Sequence, residues 1–242
     1  MNGFVIGISG GIDSSVVSTL CAMTGKKTIV VHMPTKEEVF VPGNLSFEHA
    51  RWLRNVYDNA IPHVIHLETI FNTFKGVIPI DQVRNKLAMA NLQSRLRMCV
   101  LYNFAATDKL LVVGTGNYVE DYGVGFFTKY GDGGVDISPI GKLTKTEVRE
   151  MAKFLKIDNR IIEITPTDGL WEDERTDEDQ IGASYGELEW AMKYSKDIET
   201  KNCFEQLTTR QEKVLEIYDK FHTNNTHKMN MPPVCEVAKD LK

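Results

Sequence analysis

Ser9-Gly10-Gly11-Ile12-Asp13-Ser14-Ser15 puts two glycines, three hydroxyls and one carboxylate into seven residues. The stretch follows the apolar run Phe4-Val5-Ile6-Gly7-Ile8 and precedes Val16-Val17-Ser18-Thr19-Leu20-Cys21-Ala22-Met23, which reads as helix. A strand, a glycine turn and a helix in that order aim backbone N–H groups and a helix N-terminus at one point, which suits a phosphate. Gly10 and Gly11 admit close approach and positive φ. Asp13 repels a phosphate unless a cation lies between them, so the turn implies phosphate together with Mg²⁺. The spacing is neither that of a Walker A loop nor G-x-G-x-x-G. A plain Gly-Gly turn with an Asp/Ser helix cap is the alternative, and the strand-then-helix context weighs against it.

The elements that must hold this turn alternate regularly. Strands are expected at 4–8, 28–33, 63–67 and 110–113. Helices are expected at 14–24, 46–60 and 82–106, the last broken near Asn91. Continuous apolar strands alternating with helices predict a parallel sheet covered on both faces. The expected fold is a three-layer α/β/α, doubly wound sheet of about five strands, in a single domain over residues 1–242. Thr144 with Glu147, Ser184 with Glu187 and Thr208 with Gln211 read as capping boxes of later helices. In a doubly wound sheet ligands bind beyond the carboxyl ends of the strands. That rule gathers three loops at one crevice: the Ser9–Gly11 turn, His32-Met33-Pro34 placed to touch a base, and the second glycine turn Gly114-Thr115-Gly116-Asn117.

Bulk properties narrow the classes. The chain has 242 residues, 42% of them apolar, and a net charge of −5, which argues against a nucleic-acid surface. No run approaches the ~20 apolar residues that a membrane span needs. The cysteines Cys21, Cys99, Cys203 and Cys235 are widely spaced and form no C-x-x-C, so neither a zinc site nor a disulfide framework is expected. A cytoplasmic location follows. Cys21 and Cys99 read as packing residues of apolar helices.

A second constellation lies downstream. Residues 129–136, Lys-Tyr-Gly-Asp-Gly-Gly-Val-Asp, hold three glycines, two aspartates and a lysine and cannot form a regular helix. Their aromatic start and their place after a nucleotide-binding turn read as a mobile lid. Lys145 stands at the capped start of a helix, where its charge opposes the helix dipole, so an anion is expected to compensate it.

Gly7 to Ser14, Gly114-Thr115-Gly116-Asn117, Phe127-Thr128-Lys129-Tyr130-Gly131-Asp132-Gly133, Leu143-Thr144-Lys145 and Pro166-Thr167-Asp168 occur in the order and spacing of ammonia-dependent NAD synthetases. Thr176-Asp177-Glu178, Gly182-Ala183-Ser184-Tyr185 and His227-Lys228 resemble that family too. The resemblance spans nearly the whole chain. It implies the adenine-nucleotide α-hydrolase-like fold and an ATP pyrophosphatase that converts nicotinic acid adenine dinucleotide (deamido-NAD), ATP and ammonia into NAD, AMP and pyrophosphate through an acyl-adenylate. Gly7, Ile8, Ser9, Gly10, Gly11, Ile12, Asp13 and Ser14 would wrap the ATP phosphates. Thr115, Lys145 and Thr167 would also contact ATP. Asp13 and Glu120 would be Mg²⁺ ligands. Arg95, Lys129, Asp136, His227 and Lys228 would contact the dinucleotide, with Lys145 and Asp132 in catalytic roles, Asp132 by orienting or deprotonating ammonia. A homodimer is implied, with the striped segment 82–106 suited to a helix-pair interface.

Two departures stand out. The phosphate turn begins nine residues in, earlier than in relatives. The stretch between Glu120 and Phe127 is one residue longer, which leaves Asp121 as a rival metal ligand to Glu120. The length leaves no room for a glutaminase, so ammonia would arrive free or from a separate protein. Another ATP pyrophosphatase and a nucleotide sensor without catalysis are the competing readings. The lid motif weighs against the first, and intact Asp13, Glu120 and Lys145 against the second.

Overall fold

The computed structural model describes residues 1–35, 43–165, 176–199 and 206–236. Thr167, expected at the ATP site, lies outside the described residues, as do Pro166, Asp168, Trp171 and Cys203.

Four strands form a parallel sheet: β1 (Gly3–Gly7), β2 (Lys27–His32), β3 (Ala60–Val64) and β4 (Leu111–Val112), in the order β3-β2-β1-β4. Ten α-helices fill the intervals among the described residues: α1 (Ile12–Met23), α2 (Leu45–Val56), α3 (Glu68–Val77), α4 (Ile80–Arg84), α5 (Lys86–Asp108), α6 (Lys145–Phe154), α7 (Asn159–Glu163), α8 (Asp177–Ile181), α9 (Tyr185–Glu199) and α10 (Thr209–Met229). A π-helical turn spans Val119–Val124.

Successive strand residues point to opposite faces, and the cores divide accordingly. Ile6 packs with Ile12, Val16 and Val17 of α1 and with Val148 and Ala152 of α6. Val5, Ile29 and Val31 pack on the other side with Phe71 of α3 and Met89 and Leu96 of α5. Val30 joins Ala22 of α1 and Ala50 and Leu53 of α2. A separate core unites the π-helical turn with α8, α9 and α10 through Val119, Val124, Ile181, Tyr185, Leu188, Val214 and Tyr218.

The expected architecture holds, with local corrections. The sheet has four strands among the described residues, not about five. Beyond β4 the chain makes only a single bridge, Val113 to Ile137. The reason is local: the Asp136 carboxylate accepts the Val112 N–H at 2.8 Å, occupying a donor that a fifth strand's carbonyl would need. The third strand starts at Ala60 rather than at His63. Pro62 lacks an N–H, which a sheet edge tolerates, and β3 is an edge. The long helix breaks at Asn85, not near Asn91. Asn85 is extended (φ −78°, ψ 98°) and its side chain caps α5 by accepting the Ala88 N–H. Cys21 is buried as expected, but Cys99 is exposed on the outer side of α5. Among the described residues no helix is long and apolar enough to cross a membrane.

α1 and α2 meet over a buried histidine. His49 Nε2 lies 2.9 Å from Ser18 Oγ, and its ring stacks on Trp52. Burial pushes the imidazole pKa down to about 4, against ~6.5 in an unfolded chain. The folded state therefore keeps His49 neutral where the unfolded state takes a proton. Stability contributed by the neutral ring is expected to fall as pH drops from about 6.5 towards 4, by an amount on the order of 2–3 kcal/mol. Urea unfolding at a series of pH values checks this, and His49→Gln should flatten the slope across that window.

Candidate active site

β1 and β4 are neighbours in the sheet but far apart in sequence, so the loops leaving their carboxyl ends diverge around a crevice. The loop after β1 is the Ser9–Gly11 turn. Gly10 has φ +89°, and a Cβ there would meet the Ser46 backbone nitrogen at 3.0 Å. Ser14 Oγ donates to the Gly11 carbonyl and accepts the Ser9 N–H, while Ser9 Oγ accepts the Gly11 N–H. Gly11 caps α1 without a side-chain hydrogen bond. The turn is tied internally by hydroxyls while the helix start stays uncapped by any side chain, which is the arrangement an anion site requires.

Three charged side chains converge beside it. Lys145 opens α6, is 2% exposed, and reaches Asp13 Oδ2 at 2.6 Å and Glu120 Oε1 at 3.1 Å. The anion expected to offset its unfavourable helix position is thus supplied by the protein. Asn117 donates to Asp13 Oδ1 through Nδ2 at 3.2 Å and accepts the Val119 and Glu120 N–H groups through Oδ1. Tyr185 donates its hydroxyl to Glu120 Oε1 at 2.6 Å.

Burial disfavours each charge here, and the lysine decides between the two carboxylates. Glu120 is penalised by burial, yet Lys145 and the Tyr185 hydroxyl hold its pKa below the usual range. Asp13 remains raised, because burial outweighs Lys145 and the Glu120 charge adds to it. Lys145 is itself held protonated: the neighbouring Glu120 and Asp13 charges overcome its burial. Asp121 points elsewhere. Its carboxylate packs against Gly116, where an added Cβ would overlap it at 2.1 Å. Burial, with Glu120 next, pushes its pKa up to about 8. It is Glu120, not Asp121, that meets Lys145. Both acids lie on the π-helical turn Val119–Val124.

The residues expected at the dinucleotide site also gather, around residues 125–134. Arg95 donates to the Lys129 carbonyl, and the Lys129 ammonium to the His227 carbonyl. Lys228 donates to the Gly125 and Phe127 carbonyls, each at 2.9 Å, and burial lowers its pKa. His222 and Asn225, two turns and one turn earlier on α10, bond the Gly123 and Val124 carbonyls. α10 therefore reads successive carbonyls of the turn with His222, Asn225 and Lys228, spaced three residues apart. Asp132 accepts from Ser94 Oγ at 2.6 Å and from the Thr128 N–H at 3.0 Å, and burial raises its pKa. It staples the loop to α5. Asp136 is occupied by Val112 N–H and Tyr102 hydroxyl at β4. Thr115 is half-buried in the turn after β4. His32, read as a base contact, is buried against Ser46 Oγ at 2.7 Å.

The family model for NAD synthase matches residues 1–232. The chain belongs to the NAD synthase family. An NH(3)-dependent NAD(+) synthetase of Methanocaldococcus jannaschii is 37% identical over 240 residues, which cover 98% of this chain and 90% of the relative. One from Malacoplasma penetrans is also 37% identical, over 96% of this chain and 85% of its own length. Among solved structures, the NMN synthetase of Francisella tularensis superposes with a TM-score of 0.79 at 30% identity, covering 98% of this chain and 90% of that one. The NH3-dependent NAD synthetase of Campylobacter jejuni gives 0.71 at 25% identity, covering 97% and 90%.

This NAD synthase family member has site residues that sequence reasoning missed. Asn117 was visible as the end of the second glycine turn, and an Asn whose side chain caps the following N–H groups is a recognisable signal. Tyr185 carried its place after the Ser184 cap and in a stretch that resembles the family's, with no role attached. Ser94 and His222 gave no local signal at all.

Proposed function

We propose that this chain catalyses the ATP-dependent amidation of deamido-NAD by ammonia, releasing AMP and pyrophosphate. The observation that carries the reading is the Asp13–Lys145–Glu120 centre beside the Ser9–Gly11 turn at the β1/β4 crevice. The whole-length family match gives the reaction class.

The residues fit a divalent cation of the Mg²⁺ kind. Asp13 and Glu120 offer hard oxygen donors, and one lysine leaves Asp13 with its pKa still raised, so the pair has capacity for further positive charge. Among the described residues no group of three or more His, Cys, Asp or Glu side chains could hold a metal. Two carboxylates completed by phosphate oxygens and water is the usual Mg²⁺ arrangement. Asp13 and Glu120 would hold the ion, which when bound neutralises phosphate charge.

The chain's own groups account for the rest. The uncapped α1 N-terminus, with the hydroxyls of the Ser9–Gly11 turn beside it, receives the ATP phosphates. A carboxylate is a poor acyl donor, and its attack on the α-phosphorus makes an acyl-adenylate with pyrophosphate as the leaving group. Lys145 stabilises the negative charge that develops there. Ammonia attacks the activated carbonyl and AMP departs, so no protein nucleophile is needed. Residues 125–134, stapled by Asp132 and held by Lys228, cover the reacting centre against water, which would hydrolyse the adenylate. Arg95, Lys129, Asp136, His227 and Lys228 form the dinucleotide side in this reading, and Asp132 orients the ammonia. The exposed apolar residues Ile70, Phe74, Val77, Ile80 and Leu87, continuous from α3 to the start of α5, supply the homodimer surface. A cytoplasmic setting belongs to the same reading, since ATP is supplied there.

A second substrate is favoured by one observation, the likeness to the Francisella NMN synthetase. The same chemistry on nicotinic acid mononucleotide would yield NMN. The deciding assay offers the purified chain each acid in turn with ATP, Mg²⁺ and ammonium, and follows pyrophosphate and the amide product. Deamido-NAD is expected to give the higher kcat/KM. A preference for the mononucleotide reverses the substrate assignment, and no pyrophosphate with either acid removes the function. Activity should rise with pH towards the ammonia pKa, because only neutral NH₃ is nucleophilic, and glutamine alone should give no product.

A further inference from the structure

The corner between α8 and α9 is built with more care than its distance from the phosphate turn in sequence would suggest. Thr176 caps α8 in a reciprocal box with Asp179. Gly182 ends α8 at φ +88°. Ser184 accepts the Glu187 N–H while Glu187 Oε2 accepts the Ser184 N–H, and Arg210 of α10 clamps the same Glu187. Glu178 then accepts the Tyr185 N–H at 2.9 Å. Every one of these bonds fixes the backbone on either side of Tyr185, whose side chain is 1% exposed.

That side chain points into the charged centre. Its hydroxyl donates to Glu120 Oε1 at 2.6 Å, and its ring lies 4.7 Å from the Lys145 ammonium. A core tyrosine commonly sends its hydroxyl to whatever acceptor is near. Here Asp177 Oδ2 lies at 3.2 Å, and the nearer acceptor is the carboxylate that also receives Lys145, both donors landing on the same oxygen. Glu120 sits on a π-helical turn whose Val119 and Val124 pack into the same core as Tyr185, so the turn and the tyrosine are held in one unit. With the hydroxyl in place Glu120 Oε1 receives two donors. Without it Glu120 keeps only Lys145 on that oxygen.

We propose that Tyr185 is a positioning residue for the reaction: its hydroxyl sets the Glu120 carboxylate and its ring seats Lys145, joining the α8–α10 unit to the phosphate crevice. The proposal gives the motif at residues 176–185 its role, and it rests on the reading of Asp13, Glu120 and Lys145 as the phosphate and cation centre. Groups behind a metal-binding carboxylate typically change metal affinity or activity by about 10–100-fold when removed.

The test uses the full chain and three variants. Tyr185→Phe keeps the ring and removes only the hydroxyl. Glu120→Gln removes the carboxylate charge. Leu188→Ala, in the same core at 0% exposure, is a purely structural lesion. Mn²⁺ is the probe, its binding followed by electron paramagnetic resonance in the presence of α,β-methylene-ATP, alongside kcat, KM and thermal midpoint. Tyr185→Phe is expected to weaken Mn²⁺ binding and lower kcat, each by about 10-fold, with the KM of the pyridine substrate unchanged. Leu188→Ala is expected to lower the thermal midpoint and leave Mn²⁺ affinity alone. Wild-type Mn²⁺ affinity in Tyr185→Phe, or a change confined to stability as in Leu188→Ala, overturns the proposal. Wild-type affinity in Glu120→Gln instead overturns the cation reading, and the proposal falls with it.

Discussion

Lys145→Met is expected to abolish turnover and to destabilise the folded protein together. Lys145 is 2% exposed and is the ammonium shared by Asp13 and Glu120. Methionine fills a similar volume but leaves two half-buried carboxylates facing each other without a counter-charge. Removing one partner of a buried ion pair costs about 3–5 kcal/mol, because the remaining charge keeps its desolvation cost. Loss of the same cation from the developing pyrophosphate should lower kcat by about 10²–10³-fold. Urea denaturation and steady-state kinetics on one preparation check both. A variant that retains wild-type stability would mean that the two carboxylates take up protons or water without strain, and would remove the ion triad from the account of the fold.

Asp13→Asn is expected to do the opposite to stability while still disabling the enzyme. Burial already raises the Asp13 pKa, so its charge is held against a desolvation cost that a neutral amide avoids. The fold should therefore be retained, with turnover reduced by at least ~10²-fold as a cation ligand is lost. Glu120→Gln and Asp121→Asn, assayed beside it, separate the two adjacent acids. Glu120 lies on Lys145 and Asp121 on Gly116, so the larger loss of Mg²⁺ dependence is expected for Glu120. Near-normal activity of Asp13→Asn at saturating Mg²⁺ would take Asp13 out of the mechanism.

What could be read from the sequence was what depends on local pattern. The glycine turn, the apolar strands around Val5 and Val30 and the cap at Thr144 are encoded in neighbouring residues, and each is where the pattern places it. The rule that loops at carboxyl ends converge then brought residues 9–13 and 114–117 together correctly. The errors arose where tertiary context overrode local preference. The pattern starts the third strand at His63, whereas β3 takes in Pro62 because an edge tolerates the missing N–H. Lys145 was recognisable as an uncompensated charge, but its partners lie far away in sequence. Tyr185 was legible as the residue after a cap in a family-like stretch, but nothing within its own helix reveals that its hydroxyl meets Glu120.

The bond between Lys145 and Asp13 joins residues 132 positions apart, and that between Tyr185 and Glu120 joins residues 65 apart. Each closes a long loop, and the entropy of closure has to be met before the contact returns anything. The phosphate turn, by contrast, is finished within a few residues of β1. A refolding chain can thus own its anion cradle while it still lacks the clasp that makes the cradle reactive. Recovery of catalysis is therefore expected to trail formation of the turn during refolding, and a nucleotide that bridges both ends of the clasp would act as a late-stage fastener of the whole chain.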